Sequence, residues 1–165
     1  MTHRIDKIDK IDKMILSLLQ ENARTPLKHL AAKVFLSSPA VSSRIERLEK
    51  RGILTGYHAS VNPEALGYRI QAFINLSLIP KEKSCFLEFI ENCTHVTECH
   101  CITGHCSMLM KVIFRNTEEL DVFVDQLQQF GETETQIIFS TPIEPRGIQM
   151  IKKGEYDEPL HCATF

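Results

Sequence analysis

The sequence predicts an α+β fold in two parts, with three short helices followed by a β-α-β-β-α-β unit. Apolar residues recur at helical spacing as far as about residue 51, which is typical of amphipathic helices. From residue 70 onward they alternate as in strands, and two helical stretches interrupt the alternation. The charge divides near the same place, because residues 1–60 carry a net charge of +5 and residues 61–165 a net charge of −7. Unless this division is chance clustering, only the first part is expected to meet a polyanion.

Each of the three predicted helices in the first part begins with a recognisable start signal. Asp9 is a typical N-cap residue for the first helix, whereas a Thr-Pro pair and a Ser-Pro pair begin the second and the third. Gly52 is the residue type that commonly follows the end of a helix. The predicted ranges are 10–21, 26–34 and 38–51, followed by extended chain over 53–61.

The second part is predicted to contain four strands and two helices in the ferredoxin-like order. The run Gly104-His105-Cys106 lies between two alternating segments and is a hairpin signal. Gly131 is expected to stop the last helix, and prolines after residue 141 to end the last strand. The predicted ranges are strand 70–79, helix 82–92, strands 96–103 and 107–114, helix 117–130 and strand 133–141.

Composition and length set the broad class. Hydrophobic residues make up 43% of the 165 residues and charged residues 24%, which is a globular balance. No apolar run approaches the roughly 20 residues of a membrane span, and the first 13 residues contain no apolar signal core. A cytoplasmic protein with no membrane contact is therefore expected. The expected domains are residues 1–60, a hinge over 61–68, an α/β domain over 69–150 and a tail over 151–165.

The second and third helices match a helix-turn-helix, in which the later helix enters the major groove of DNA. Small hydroxyl side chains let such a helix sit deep in the groove, and arginines reach phosphates or guanine edges. A generic three-helix bundle with a solvated polar face is the alternative. The candidate DNA-binding residues, expected on the outward face of the third helix or at its start, are Ser38, Pro39, Ser42, Ser43, Arg44 and Arg47.

Several short motifs, in this order and spacing, resemble the Lrp/AsnC, or feast/famine, family of transcription regulators over about residues 5–150. The first helix carries an Asp-x-x-Asp-x-x-Ile-Leu pattern, and the third leads into Arg-Ile-x-x-Leu-x-x-x-Gly-Ile. The matching positions are Asp9, Asp12, Ile15, Leu16, Asn22, Arg24, Arg44, Ile45, Leu48, Gly52, Ile53, Thr103, Gly104, residues 109–112 and residues 140–142.

The resemblance implies a winged helix-turn-helix followed by a ligand-sensing (RAM) domain of ferredoxin-like fold. It implies binding to double-stranded DNA, a homodimer formed through the sheets that assembles to an octamer, and an amino-acid effector. Many members have an acidic residue in the hairpin, which this chain lacks; His105 replaces it by hydrogen bonding, or the site is altered and the segment is an ordinary hairpin. The implied effector-binding residues are Gly104, His105, Cys106, Ser107, Thr133, Thr135 and Ser140.

Other classes of function are weighed against this one. Cys99, Cys101 and Cys106 lie near two histidines, so a metal- or thiol-sensing regulator is an alternative. The Cys-x₂-Cys spacing of zinc knuckles is missing, however, so buried thiols are expected, with no metal site. The second part contains no phosphate loop and no paired carboxylates at a hairpin mouth, so neither catalysis nor a cofactor is expected. A metabolite-binding oligomer without a DNA role is a further alternative, which the basic first part disfavours.

Overall fold

The computed structural model describes residues 8–150, which divide into two compact units. The helical unit comprises residues 8–60 together with residues 144–150, and the α/β unit comprises residues 61–143. The observed boundaries differ at both ends from those of the expected α/β domain, residues 69–150. The expected hinge over 61–68 clusters with the sheet, and residues 144–150 cluster with the helices. Residues 144–150 join the helical unit because the side-chain amide of Gln20 on the first helix bonds both the N–H and the carbonyl of Ile148. The expected tail over 151–165 lies outside the described residues.

Three helices form the first unit: α1 (Lys10–Glu21), α2 (Leu27–Lys33) and α3 (Ser38–Lys50). The Asp9 carboxylate caps α1 by accepting from the Asp12 backbone N–H at 2.7 Å, as the sequence predicts. Ser37, one residue earlier than the predicted start pair, caps α3 through the Ala40 N–H. No helix of the described residues is long and apolar enough to cross a bilayer.

The apolar stripes of the three helices meet in one small core. Each fully buried aliphatic side chain contributes about 1.5–3 kcal/mol by leaving water. The turn between α2 and α3 places Phe35 at φ 54°, a left-handed conformation unusual for a bulky residue. The core side chains are Met14, Ile15, Leu19, Leu30, Ala31, Val34 and Val41.

The chain after α3 departs from the expected winged fold. Gly52 adopts φ 65°, and the N–H of Ile53 bonds the carbonyl of Leu48, which closes the helix as predicted. Residues 53–60 then form no strand. Within the described residues the helix-turn-helix is therefore present, and a paired wing is not.

The second unit is a four-stranded antiparallel sheet with two helices, which confirms the ferredoxin-like α+β prediction. The strand order is β2-β3-β1-β4, so the first and third strands lie in the middle. The elements are β1 (Ile70–Leu78), α4 (Lys83–Glu91), β2 (Val96–Cys101), β3 (Met108–Phe114), α5 (Thr117–Gln128) and β4 (Gly131–Ile137), with short 3₁₀ turns at Glu64–Leu66 and Pro80–Glu82.

The last strand begins two residues earlier and ends four residues earlier than predicted. Gly131, expected to stop the helix, is the first residue of β4 and pairs with Leu78. Its φ of 153° favours glycine, and a Cβ at this position would collide with the carbonyl oxygen of Ser77. The N-cap of α5 is Asn116, whose side chain accepts from the Glu119 N–H at 2.8 Å.

Within the α/β unit both helices pack on the same face of the sheet. Alternate residues of β1 and β3 are buried there against α4 and α5, together with a group of phenylalanines. The residues between them project from the opposite face and are only half-buried, including Phe73, Leu109, Lys111 and Ile113. This second face, here called the open face, is where a partner would find apolar surface.

Candidate functional site

The outward face of α3 consists of side chains on the side opposite the buried Val41 and Leu48. Ser43 lies at its centre, whereas Ser38 and Ser42 are half-buried on one flank. Sequence reasoning missed Glu46 and Lys50, although their spacing from Ser43 places them on the same helical face. The exposed residues of α3 are Pro39, Ser43, Glu46, Arg47, Glu49 and Lys50.

Arg44 does not lie on that face, so the expectation that it points outward is wrong. Its Nη1 lies 2.6 Å from Oδ2 of Asp9 and 2.7 Å from Oδ1 of Asp12. The side chain is 24% exposed. Arg44 therefore joins α3 to α1, and its guanidinium is already paired within the unit.

Arg47 shares one of these partners but stays accessible. Its Nη2 lies 3.0 Å from Oδ2 and 3.2 Å from Oδ1 of Asp12, and half of its side chain is exposed. A guanidinium carries five N–H donors. Arg47 can therefore keep this ion pair and still donate to a ligand outside the unit.

Asp12 is the buried centre of the network, with 2% of its side chain exposed. Burying a carboxylate is costly unless it is paired and hydrogen-bonded, and two guanidiniums supply the partners here. Burial acts to raise the pKa of Asp9, but the hydrogen bonds and positive charge, chiefly of Arg44, outweigh it and lower the pKa below its ordinary value. The hydrogen bond to Asp9 contributes most to raising the pKa of Arg44.

A second contact holds the segment after α3 against the end of the helix. The Tyr57 hydroxyl donates to Oε1 of Glu49 at 2.8 Å. Desolvation, the hydrogen bond and the negative charge of Glu49 together raise the pKa of Tyr57 to about 12. The phenol therefore stays protonated and keeps its donor role at neutral pH.

The 104–107 hairpin, the first part of the predicted effector site, folds against the end of β1. Gly104 has a φ of 126°, and the Ile102 N–H bonds the Ser107 carbonyl to close the loop. The backbone N–H of Ser107 donates to Leu76 O at 3.1 Å, and Ser107 Oγ accepts from the Leu78 N–H at 3.1 Å. Ser107 thus has a structural role in addition to any contact with a ligand.

The strand β4 brings only part of the predicted set to this hairpin. Thr133 pairs with Leu76, which Ser107 also contacts, and Thr135 pairs with Ile74 one step further along. Ser140 follows the far end of β4, seven residues from Thr133, a separation of roughly 20 Å in extended chain. Ser140 therefore lies away from the hairpin within one subunit.

Sequence reasoning missed Ser77 and Glu132, which lie on the open face of the sheet beside the hairpin. Ser77 Oγ donates to the carbonyl of His105 at 3.4 Å and lies 3.6 Å from the thiol of Cys106. Glu132 is exposed and pairs directly with Ser77, so their side chains project from the same face about 5 Å apart at Cβ. Glu132 thus places a carboxylate beside a hairpin that lacks one. The register of β1 and β4, which the sequence does not specify, is what reveals it.

A shallow depression of about 550 Å³ lies elsewhere, between α5 and the link that precedes β2. Its floor includes Phe114 and Phe123, and its rim includes Asn92 and Asn116. None of the predicted effector residues lines it. At the hairpin itself Gly104 and His105 are exposed, whereas Cys106 and Ser107 are half-buried.

The cysteines do not form an organised metal site within residues 8–150, where no group of three or more His, Cys, Asp or Glu side chains could hold an ion. Cys99 and Cys101 pair with Met110 and Met108, which are buried in the core. Burial, together with Cys101, raises the pKa of Cys99. The expectation of buried thiols is wrong for the described cysteines: Cys93 and Cys99 are half-buried beside the core, Cys106 is half-buried, and Cys85 and Cys101 are exposed. The lack of an organised ligand group among the described residues still disfavours the metal-sensing alternative.

Comparison with known families covers both units. Residues 8–49 match the AsnC-type helix-turn-helix domain, and residues 71–148 match the Lrp/AsnC ligand binding domain. Regulatory protein AsnC of Escherichia coli (strain K12) is 36% identical over 134 residues, which cover 78% of this chain and 88% of AsnC.

Solved structures agree with these matches. LrpC of B. subtilis superposes with a TM-score of 0.80 at 26% identity, covering 85% of this chain and 99% of LrpC. The transcriptional regulator NMB0573 from Neisseria meningitidis, solved as a complex with L-Met, gives a TM-score of 0.79 at 27% identity, covering 85% and 94% of the two chains. The chain belongs to the Lrp/AsnC family, as a DNA-binding helix-turn-helix transcription regulator with a ligand-binding domain.

Proposed function

We propose that this regulator contacts double-stranded DNA through the outward face of α3 and changes its activity when an amino acid binds at the 104–107 hairpin. Because its target is genomic DNA, it works in the cytoplasm, and neither a cofactor nor a catalytic step is part of the proposal. The observation that carries it is the exposure of Ser43, Arg47 and Lys50 on one face of the helix-turn-helix.

The chemistry of this face fits the major groove. Ser43 is small enough for the helix to approach base edges, and Arg47 and Lys50 reach phosphates or guanine. Pro39, Ser38 and Ser42 lie at the start of the helix or on its flank, where backbone N–H groups point toward phosphate. Arg44 is assigned a supporting role because two carboxylates hold it.

Mobility shifts with a promoter fragment test this surface. Arg47→Ala and Lys50→Ala each remove one cation and are expected to weaken binding about tenfold, a typical effect of one good contact. Lys81→Ala is the matched control, because Lys81 is an exposed cation of the α/β unit. Equal affinities for all three variants and the wild type would overturn the assignment of α3.

The proposed effector site rests on the loop and its neighbours. Backbone N–H groups at a glycine turn can hold a carboxylate, so Gly104 and the N–H groups after it are suited to the acid group of an amino acid. Glu132 is suited to the ammonium group, and His105 and Cys106 line the approach. NMB0573 was solved with L-Met, which supports this class of ligand.

Binding of each of the twenty amino acids, measured by thermal shift and then by calorimetry, tests the effector. A ligand that binds the folded state raises the melting temperature by mass action. Glu132→Gln is expected to lower the affinity at least tenfold, whereas Glu134→Gln removes the next carboxylate of the same strand face and changes it little. Binding that is equal in both variants, or no binding by any amino acid, would contradict the proposal.

An open loop needs a cover if it is to bury a small ligand. A second copy of the chain is the natural cover, because DNA half-sites one helical turn apart require a two-fold assembly. We propose a homodimer formed through the open face, with dimers assembling to an octamer. Thr135 and Ser140, which lie further from the hairpin, are then available to a neighbouring subunit.

A further inference from the structure

The Asp9–Arg44–Asp12–Arg47 network joins residues that lie more than thirty positions apart in the chain. It consists of the N-cap residue of α1, one buried carboxylate in the first turn of α1, and two arginines on α3. The apolar core already holds α1 against α3, because Ile15, Leu19 and Val41 belong to one cluster. Holding the two helices together is therefore not enough to account for the network.

The two carboxylates accept hydrogen bonds from guanidinium N–H groups of the kind that could otherwise donate to a DNA phosphate. Nη1 of Arg44 lies within 2.7 Å of both Asp9 and Asp12, which is the distance of a strong charge-assisted hydrogen bond. The Arg47 Nη2 contacts with Asp12 are longer, at 3.0 and 3.2 Å, and its side chain is twice as exposed as that of Arg44. The two arginines are thus held to different degrees, with Arg44 engaged and Arg47 partly available.

Nonspecific binding to DNA depends on how many phosphates the protein neutralises, since each one releases counterions. An arginine held by a carboxylate contributes less to that count. Specific binding also uses base-edge contacts, which an intramolecular carboxylate on α1 does not supply or remove. A carboxylate that withholds an arginine from phosphates therefore lowers the affinity for DNA of any sequence by a similar factor and makes the salt dependence of binding shallower.

We propose that Asp9 and Asp12 are positioning residues that limit the sequence-independent part of the DNA affinity of this regulator, by withholding Arg44 from phosphates and by restraining Arg47. This inference rests on the proposed DNA-contacting face of α3. It assigns the pair of aspartates a function in setting how strongly the protein binds DNA of any sequence, which is separate from any contact of their own with DNA.

The variant Asp9→Asn tests the inference with little risk to folding. Asparagine is as good an N-cap residue as aspartate, and Asp9 is about half exposed, so α1 keeps its start while Arg44 loses a charged partner. Binding to random-sequence DNA is measured as the slope of log K against log salt concentration. Because Asp12 still holds Arg44 at 2.7 Å, the slope is expected to steepen by part of the roughly 0.9 that one fully released arginine would add. The affinities for specific and for random-sequence DNA are expected to rise together.

Three further variants make the readout specific. Glu21→Gln changes the net charge equally at the other end of the same helix, and it is expected to leave the slope nearly unchanged. Asp9→Asn combined with Arg44→Ala is expected to return the slope to the wild-type value, because the released cation is then absent. Asp12→Asn, compared with the wild type after circular dichroism confirms that it is folded, is expected to act on both arginines and to give the larger change.

The outcomes separate this inference from the proposed interface. If Arg47→Ala weakens DNA binding but Asp9→Asn leaves both the slope and the affinity for random-sequence DNA unchanged, the network is only structural and the inference fails alone. A steepening that persists in the double variant, or that Glu21→Gln reproduces, overturns it as well. If Arg47→Ala changes nothing, the interface on α3 fails and the inference fails with it.

Discussion

Arg44 shows at the scale of one residue why the type of a side chain does not settle its role. An arginine in a polar helix segment is typical of a DNA contact, and the sequence alone predicts it on the outward face. Its partners lie on α1, 32 and 35 residues away in the chain. Local periodicity contains no information about such pairs, so only the packing of the two helices reveals them.

The network makes stability depend on pH in a way that Asp9→Asn isolates. The folded-state pKa of Asp9 lies below its ordinary value of 3.8, so its ionised form stabilises the fold. That contribution is complete above about pH 4 to 5 and is lost as the pH falls below 3.8 toward the lower folded-state pKa. The difference in free energy of unfolding between wild type and Asp9→Asn should therefore shrink from pH 7 to pH 3.

Urea unfolding of both proteins at pH 7, 5 and 3 measures this difference. Glu21→Gln, followed at the same pH values, is the control variant, because Glu21 is an exposed residue of α1 outside the network. A difference between wild type and Asp9→Asn that stays constant down to pH 3 would mean that the Asp9 charge does not stabilise the helical unit.

At the scale of elements, the sequence predicts best where the signals are local. The range of α1 agrees at both ends, because the N-cap Asp9 and the apolar stripe both lie within the segment. The strand β4 agrees least, because a glycine after a helical stretch, here Gly131, is a typical helix stop. Its actual role is to pass close to the carbonyl of Ser77, more than fifty residues earlier.

The same reasoning explains what could be predicted of the candidate site. The glycine hairpin and the hydroxyl-rich helix are local patterns, so the sequence indicates both. Ser77 and Glu132 are defined by the register between β1 and β4, and Ser140 is separated from Thr133 by the length of the strand. Register depends on long-range pairing, which one sequence does not specify.

Gly131→Ala tests the close approach of the two strands. The new Cβ meets the Ser77 carbonyl, and the positive φ disfavours alanine, so we expect a loss of about 2–3 kcal/mol in the free energy of unfolding. Gly52→Ala is the matched control, because Gly52 also has a positive φ but no neighbouring atom lies within 4 Å of the place that a Cβ would occupy. It should cost only about 1 kcal/mol.

Equilibrium unfolding in urea measures both variants. Equal losses at the two glycines would show that backbone conformation alone matters and that the approach to Ser77 does not constrain β4.

At the scale of the whole molecule, the sheet has helices on one face and half-buried apolar residues on the other. Leu109 and Ile113 project from the open face, and burying such a surface between two copies is the simplest way to remove it from water. A dimer formed there also supplies two α3 helices for two half-sites.

Leu109→Glu tests this assembly by placing a charge on the open face. We expect the dimer to dissociate, as seen by light scattering, and promoter affinity to fall because one helix alone reads one half-site. Leu87→Glu makes the same change on α4, where the side chain is already 41% exposed, and should leave the mass unchanged. A Leu109→Glu protein that is folded and still dimeric would move the interface to another surface.

The salt dependence of promoter binding tests most directly whether α3 is the surface that meets DNA. Affinity is measured from about 50 to 200 mM salt for wild type and Arg47→Ala. The predicted result is a steep linear fall of log K for the wild type, and for the variant a slope shallower by about 0.9 for each subunit bound. A flat response, or two parallel lines of equal affinity, would contradict the account.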